Sequence, residues 1–173
     1  MPTIPRRVVT GHDARGRSVF LHDGAPPVVR TAPDGALFYE LWNTDAAPAP
    51  LAPAEPEPTR RDLTVPPAPR GTKIRINEFP PGVVSPTHRT QTVDYGIVLE
   101  GEVVLILDDG AERVLTPGDV VVQRGTDHRW ENRAAQTARM AFILVDAAFT
   151  TELLDLLGQD VVHGLLHDPM QGG

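Results

Sequence analysis

Chemistry in this chain must proceed without sulfur nucleophiles and with almost no lysine. None of its 173 residues is cysteine, which excludes a disulfide scaffold, a thiolate zinc site, an iron–sulfur cluster and a cysteine nucleophile. Fifteen of the 16 basic residues are arginine, so a Schiff base has Lys73 as its one candidate. The histidines are therefore the groups to weigh. His12 and His22 stand beside Asp13 and Asp23 in turn sequences, the ordinary setting of solvated polar groups. His163 and His167 are four apart, a spacing that brings two imidazoles to one helix face, but their glycine-containing surroundings make a loosely held tail the better reading. His88 and His128 sit instead beside strand-like runs. Arg89, Arg124 and Arg129 flank them and can each pair with an anionic substrate. Arg89 and Arg129 take the opposite strand face from their histidine neighbours, so solvated surface is the expectation for them.

The overall balance narrows the partners. Sixteen basic against 23 acidic residues leave a net charge of −7, which disfavours nucleic acid and anionic membrane. No apolar run approaches the ~18 residues of a membrane span, and the arginine-bearing start has no signal-peptide core. A cytoplasmic protein that takes a small-molecule substrate is expected.

The elements that must position the histidines read as all-β. Between residues 1 and 45, the runs at 7–10, 18–21, 28–30 and 36–42 alternate with turn signals such as Asp13-Ala14-Arg15-Gly16 and Pro33-Asp34-Gly35. This piece is too short to bury Phe20, Phe38 and Trp42 alone, so its strands should pair with the body of the chain or with a second copy. A homodimer is expected. Eight prolines between Pro48 and Pro69 mark 46–71 as an extended connector, either an ordered strap or a mobile linker. The body, 72–146, holds about seven short strands, among them a hairpin turned by Asp109-Gly110, and so forms a sandwich or barrel. In 147–173, Phe149, Leu153, Leu156 and Leu157 repeat with helical spacing up to Gly158, predicting a short helix before the tail.

Two stretches carry a family resemblance. Residues 82–101, with Gly82, His88, Asp94 and Gly101, resemble the cupin signature G-x5-H-x-H-x3-E-x6-G. Residues 117–132, ending Gly125-x2-His128-x3-Asn132, resemble its second motif, although the run from Gly118 to Gly125 is one residue short and lacks the proline. The resemblance implies a single cupin barrel, an RmlC-like jelly roll. It also points to a little-characterised bacterial branch, some of whose fungal relatives look like polyketide-tailoring isomerases. Carried over by position, the family's metal ligands fall on His88, Thr90, Asp94 and His128. The second histidine is replaced and the carboxylate is one methylene shorter.

The surviving metal set is His88, Asp94 and His128. Two imidazoles and one carboxylate suit a divalent transition metal (Fe, Mn, Ni or Zn) with open coordination positions. Thr90 can orient a water or a substrate oxygen, and Trp130 can wall the site; these two are the candidate catalytic residues. Gly96 faces inward and should leave extra room. Tyr95 should lie outside the barrel. The resemblance implies a metal-binding cupin acting on a small organic molecule as a dioxygenase, isomerase or lyase. A metal-free cupin that binds a ligand without catalysis is the alternative.

Overall fold

The structure, a computed structural model, describes residues 4–158 and 161–168. Strands β1 (Arg7–His12) and β2 (Ser18–Gly24) form a two-stranded ribbon. β3 (Val28–Thr31) and β4 (Leu37–Thr44) are followed by the short β5 (Leu63–Thr64). The body supplies β6 (Thr72–Phe79), β7 (Thr92–Glu100), β8 (Val103–Leu107), β9 (Glu112–Leu115), β10 (Val120–Arg124), β11 (His128–Glu131) and β12 (Ala138–Asp146). Helix α1 (Thr151–Leu157) and β13 (His167–Asp168) complete it. Six strands make one sheet in the order β10-β7-β12-β6-β4-β3, and three make a second, β11-β8-β9. The core, with Phe38, Phe79, Val98, Val103, Trp130, Met140, Phe142 and Leu144, draws on both sheets.

Strand alternation decides which side chains enter the barrel. On β7 the even residues Thr92, Asp94, Gly96 and Val98 are buried while Tyr95 is exposed. On β12 the buried set is Ala138, Arg139, Met140, Phe142 and Leu144. On β6 it is Lys73, Arg75, Asn77 and Phe79, with Ile74 and Ile76 half-buried on the other face and Glu78 buried beside them. Gly110, at φ 83°, turns the β8–β9 hairpin where a side chain would be strained, and Ala111 donates its backbone N–H to the Asp109 carboxylate at 2.8 Å.

The N-terminal piece splits in two. β4 pairs with β6 and β3 with β4, so both extend this chain's own sheet. The β1–β2 ribbon pairs within itself and leaves Phe20 75% exposed. The proline-rich connector is an ordered strap. It accepts hydrogen bonds at Pro53 and Pro58 from His12 and Asn43, and it buries Thr59, Leu63 and Val65. The predicted helix is present from Thr151 and capped by the Thr150 hydroxyl, but no residue of it is fully buried: Leu153 and Leu157 are half-buried and Leu156 is exposed. Residues 161–168 are fastened rather than loose. Arg89 donates its backbone N–H to the His163 carbonyl at 3.1 Å, and β13 pairs with β5. His163 Nε2 contacts Asp127 at 3.1 Å, and neither His163 nor His167 lies on a helix.

Arg7 ties the ribbon to the strap through two bonds to the Glu57 carboxylate, at 3.0 and 2.7 Å. The guanidinium, helped by the Thr59 hydroxyl and amide, holds the Glu57 carboxyl down at about 2 against the burial that opposes it. A depressed carboxylate stabilises the fold above its unfolded value and loses that contribution as pH falls toward its folded one. Glu57→Gln should therefore lower thermal stability at neutral pH, by on the order of 2 kcal/mol. The gap to the unmodified protein should close between about pH 4.5 and pH 2, as read by melting curves of both across that range.

Candidate functional site

His88 and His128 come together because their backbones do. The amide of each donates to the carbonyl of the other, at 2.9 and 3.1 Å, forming an antiparallel bridge between the irregular 83–90 segment and β11. Residues directly opposite in such a pair project to the same face. The two imidazole centroids accordingly lie 4.2 Å apart, tilted by 53°. Trp130, two residues along β11, meets the His128 ring edge-on at 5.8 Å and Phe142 at 5.5 Å.

The hydrogen bonds fix the tautomers. His88 Nδ1 lies 2.9 Å from the Pro86 carbonyl, and His128 Nδ1 lies 3.0 Å from the Thr126 carbonyl. A carbonyl oxygen only accepts, so each Nδ1 carries the proton and each Nε2 keeps a lone pair. Burial lowers both imidazoles from their ordinary value, His128 to about 3, with the neighbouring His88 adding to the effect. Both rings are neutral at pH 7.

Asp94 lines the same cavity from β7. Burial pushes its carboxyl up to about 6, partly offset by the Thr92 and Thr90 hydroxyls and the Arg75 charge, and its Oδ1 has no hydrogen-bond partner. Thr90 is 1% exposed and accepts from the Thr92 hydroxyl at 2.7 Å; it does not line the cavity. Trp130 does, together with Phe38, Phe142 and Leu144. The enclosed volume is about 50 Å³.

A metal site implied by the resemblance is matched in donor type but not in arrangement. Two Nε2 lone pairs and an unpartnered carboxylate oxygen suit a transition metal. Among the described residues, however, no three histidine or acidic side chains converge closely enough to hold an ion. Asp94 reaches from the six-stranded sheet with one methylene fewer than the family's glutamate, whereas the imidazole pair belongs to the opposing wall.

Three expectations change. Gly96 leaves no extra room, because a Cβ there would meet Phe142 at 3.1 Å and Met140 at 3.2 Å: these neighbours fill the space. Arg89 is not solvated. Its side chain is 11% exposed and faces Asp127 at 3.5 Å. Arg75 and Asn77, missing from the sequence-based candidates, line the cavity. The alternating run 73–76 signalled a strand, but not which of its faces turns inward.

The comparisons with known proteins agree with this barrel. The cupin domain model matches residues 75–145. The cupin-domain-containing oxidoreductase fogC of Aspergillus ruber is 38% identical over 153 residues, covering 81% of this chain and 71% of that protein. The chain belongs to the cupin family. Phomopsin biosynthesis cluster protein D of Diaporthe leptostromiformis is 40% identical over 151 residues, covering 83% of this cupin and 79% of that protein. Among solved structures, the Schizosaccharomyces pombe Cnp3 cupin domain aligns over 87% of this chain and 92% of its own with a TM-score of 0.51. Its 11% identity makes that a likeness of fold alone. The cupin assignment fits the nearly all-β, jelly-roll architecture. No helix among the described residues is long and apolar enough to cross a membrane.

The bond pattern around the imidazoles is directly measurable. Nitrogen NMR at neutral pH should show both His88 and His128 as Nδ1–H tautomers with unprotonated Nε2; an Nε2–H form at either would contradict the geometry.

Proposed function

We propose that this cupin is an enzyme acting on a small organic molecule inside the barrel, with a divalent transition metal (iron, manganese, nickel or zinc) held by His88 and His128, and with Asp94 as the third ligand. The observation that carries the reading is the imidazole pair: two adjacent rings whose Nδ1 atoms are committed to backbone carbonyls, leaving two Nε2 lone pairs at one cavity. Relatives named as cupin-domain oxidoreductases support an enzymatic role. When bound, the metal supplies Lewis acidity toward a substrate oxygen, which serves dioxygenase, isomerase or lyase chemistry alike. The chain's own part is positional. Pro86 and Thr126 aim the imidazoles, Thr90 and Thr92 steady the Asp94 carboxylate, and Trp130 with Phe142 and Leu144 presents an apolar wall to the substrate and keeps water out.

A second reading, a metal-free barrel, is favoured by two observations: the three ligands do not converge, and a buried arginine, Arg75, shares the cavity with them. In that reading Asp94 and the imidazoles act as groups that bind a small ligand without catalysis.

The outer face of the six-stranded sheet supports a homodimer. Val122 and Val120 on β10 are 55% and 59% exposed and register with Tyr95 and Ile97 on β7, an apolar strip that a second copy would cover.

One preparation tests both proposals. Protein purified without chelator should carry or take up roughly one equivalent of transition metal per chain. His88→Ala and His128→Ala should abolish uptake, while Thr90→Ala, away from the cavity, should leave it intact. Failure to load any of the four metals decides for the metal-free barrel. Light scattering of the same sample should give twice the chain mass of 18.8 kDa, and a monomer at micromolar concentration would refute the dimer.

A further inference from the structure

The barrel cavity contains a cation with two nitrogens that no hydrogen bond of the chain satisfies. Arg75 projects from β6 and is 6% exposed, and its Nε and Nη1 are buried without any hydrogen-bond partner. Its guanidinium lies over the Phe38 ring, 4.6 Å from the centroid, which holds the group in place but satisfies no N–H donor. Glu40, directly opposite on β4, and Asp94 act on it through space. Their charges make the buried guanidinium tolerable, yet no hydrogen bond reaches Nε or Nη1 from either carboxylate. A buried charged donor without an acceptor is among the costliest arrangements in a folded chain, so its retention calls for a partner from outside.

We propose that Arg75 is the anchor for a substrate carboxylate, so that the ligand of this cavity is a small organic acid bound as its anion. The inference rests on the proposal that the cavity is the reaction site, and it supplies the substrate class which that proposal leaves open. A guanidinium is matched to a carboxylate in charge and in planar, forked geometry. Phe38, Trp130, Phe142 and Leu144 give the cavity apolar walls that fit a hydrocarbon body, beside the polar Asn77, Ser85 and the imidazole pair. The free volume of about 50 Å³ admits a molecule the size of a few waters, which suits a short-chain acid in the cavity as it stands. Arg75 is thus a binding residue for the anion, distinct from the imidazole pair.

The test is a titration of the full-length protein with propionate and with propionamide, its uncharged counterpart of the same size, followed by NMR of the Trp130 indole N–H. Excess chelator is present, so that a metal cannot supply the anchor. Propionate should bind at least tenfold more tightly than propionamide. Arg75→Met should reduce propionate to the level of the amide, and Arg75→Lys should keep part of the preference. Equal binding of acid and amide by the unmodified protein, binding of neither, or an acid preference that survives Arg75→Met would overturn the proposal. Failure of metal loading leaves the acid preference standing, and loss of that preference leaves metal loading standing, so the two readings fail separately.

Discussion

The backbone bridge between His88 and His128 is the constraint on which the site depends. It fastens an irregular segment, 83–90, to β11, and the same pairing continues at Val84 and Glu131. Because the bridged residues lie directly opposite each other, their side chains cannot separate without breaking two amide–carbonyl bonds inside the barrel wall. Each ring is then tied a second time through Nδ1, to a carbonyl two residues before it. Position and tautomer are fixed by backbone alone. A side-chain partner could be lost by mutation; these carbonyls cannot. Asn132 closes the same wall at the end of β11, donating to the Phe79 and Gln136 carbonyls at 2.6 and 2.8 Å.

Around that fixed pair the barrel keeps an unusual amount of charge. Lys73, Arg75, Glu40 and Asp94 are all buried, and Arg75 and Asp94 line the cavity beside Phe38, Trp130, Phe142 and Leu144. Lys73 is relieved by hydrogen bonding to the Thr64 carbonyl, which also ties β6 to the strap, and burial lowers its amine to about 8. Arg75 and Asp94 have no such relief at Nε, Nη1 and Oδ1. An interior that served only stability would replace these groups with hydrocarbon, since an incompletely paired buried charge costs more than it returns. Where packing and polar satisfaction disagree, function is the usual reason.

Much of the fold was legible from alternation and turn residues. Asp109-Gly110, the period-two runs at 92–99 and 139–145, and the two glycine–histidine motifs lead to the strands the structure contains and to the family itself. The sites of failure share a cause: alternation gives two faces and does not say which is buried. On β7 the motif histidine at position 88 supplied the parity, and Asp94 inside and Tyr95 outside follow. On β6 nothing supplied it, and the apolar Ile74 and Ile76 drew attention away from Arg75 and Asn77. Gly96 and Arg89 misled for a related reason. A missing side chain marks space only if neighbours decline to fill it, and Phe142 and Met140 do fill it. An odd-numbered arginine beside a motif histidine reads as surface until the C-terminal segment, which places His163 beside Asp127, covers that side. Such contacts join residues far apart in the chain and leave no local signature.

Amide hydrogen exchange tests the central claim most directly, because it reads the bridge itself without a ligand or a substitution. If His88 and His128 are held by mutual backbone bonds in the barrel wall, their amides should be protected as strongly as those of Phe142 and Leu144 on β12, opening only with the whole fold. Exchange at His88 and His128 as fast as at the exposed helix α1 would show that the imidazole pair is not fixed by the backbone and would contradict the account.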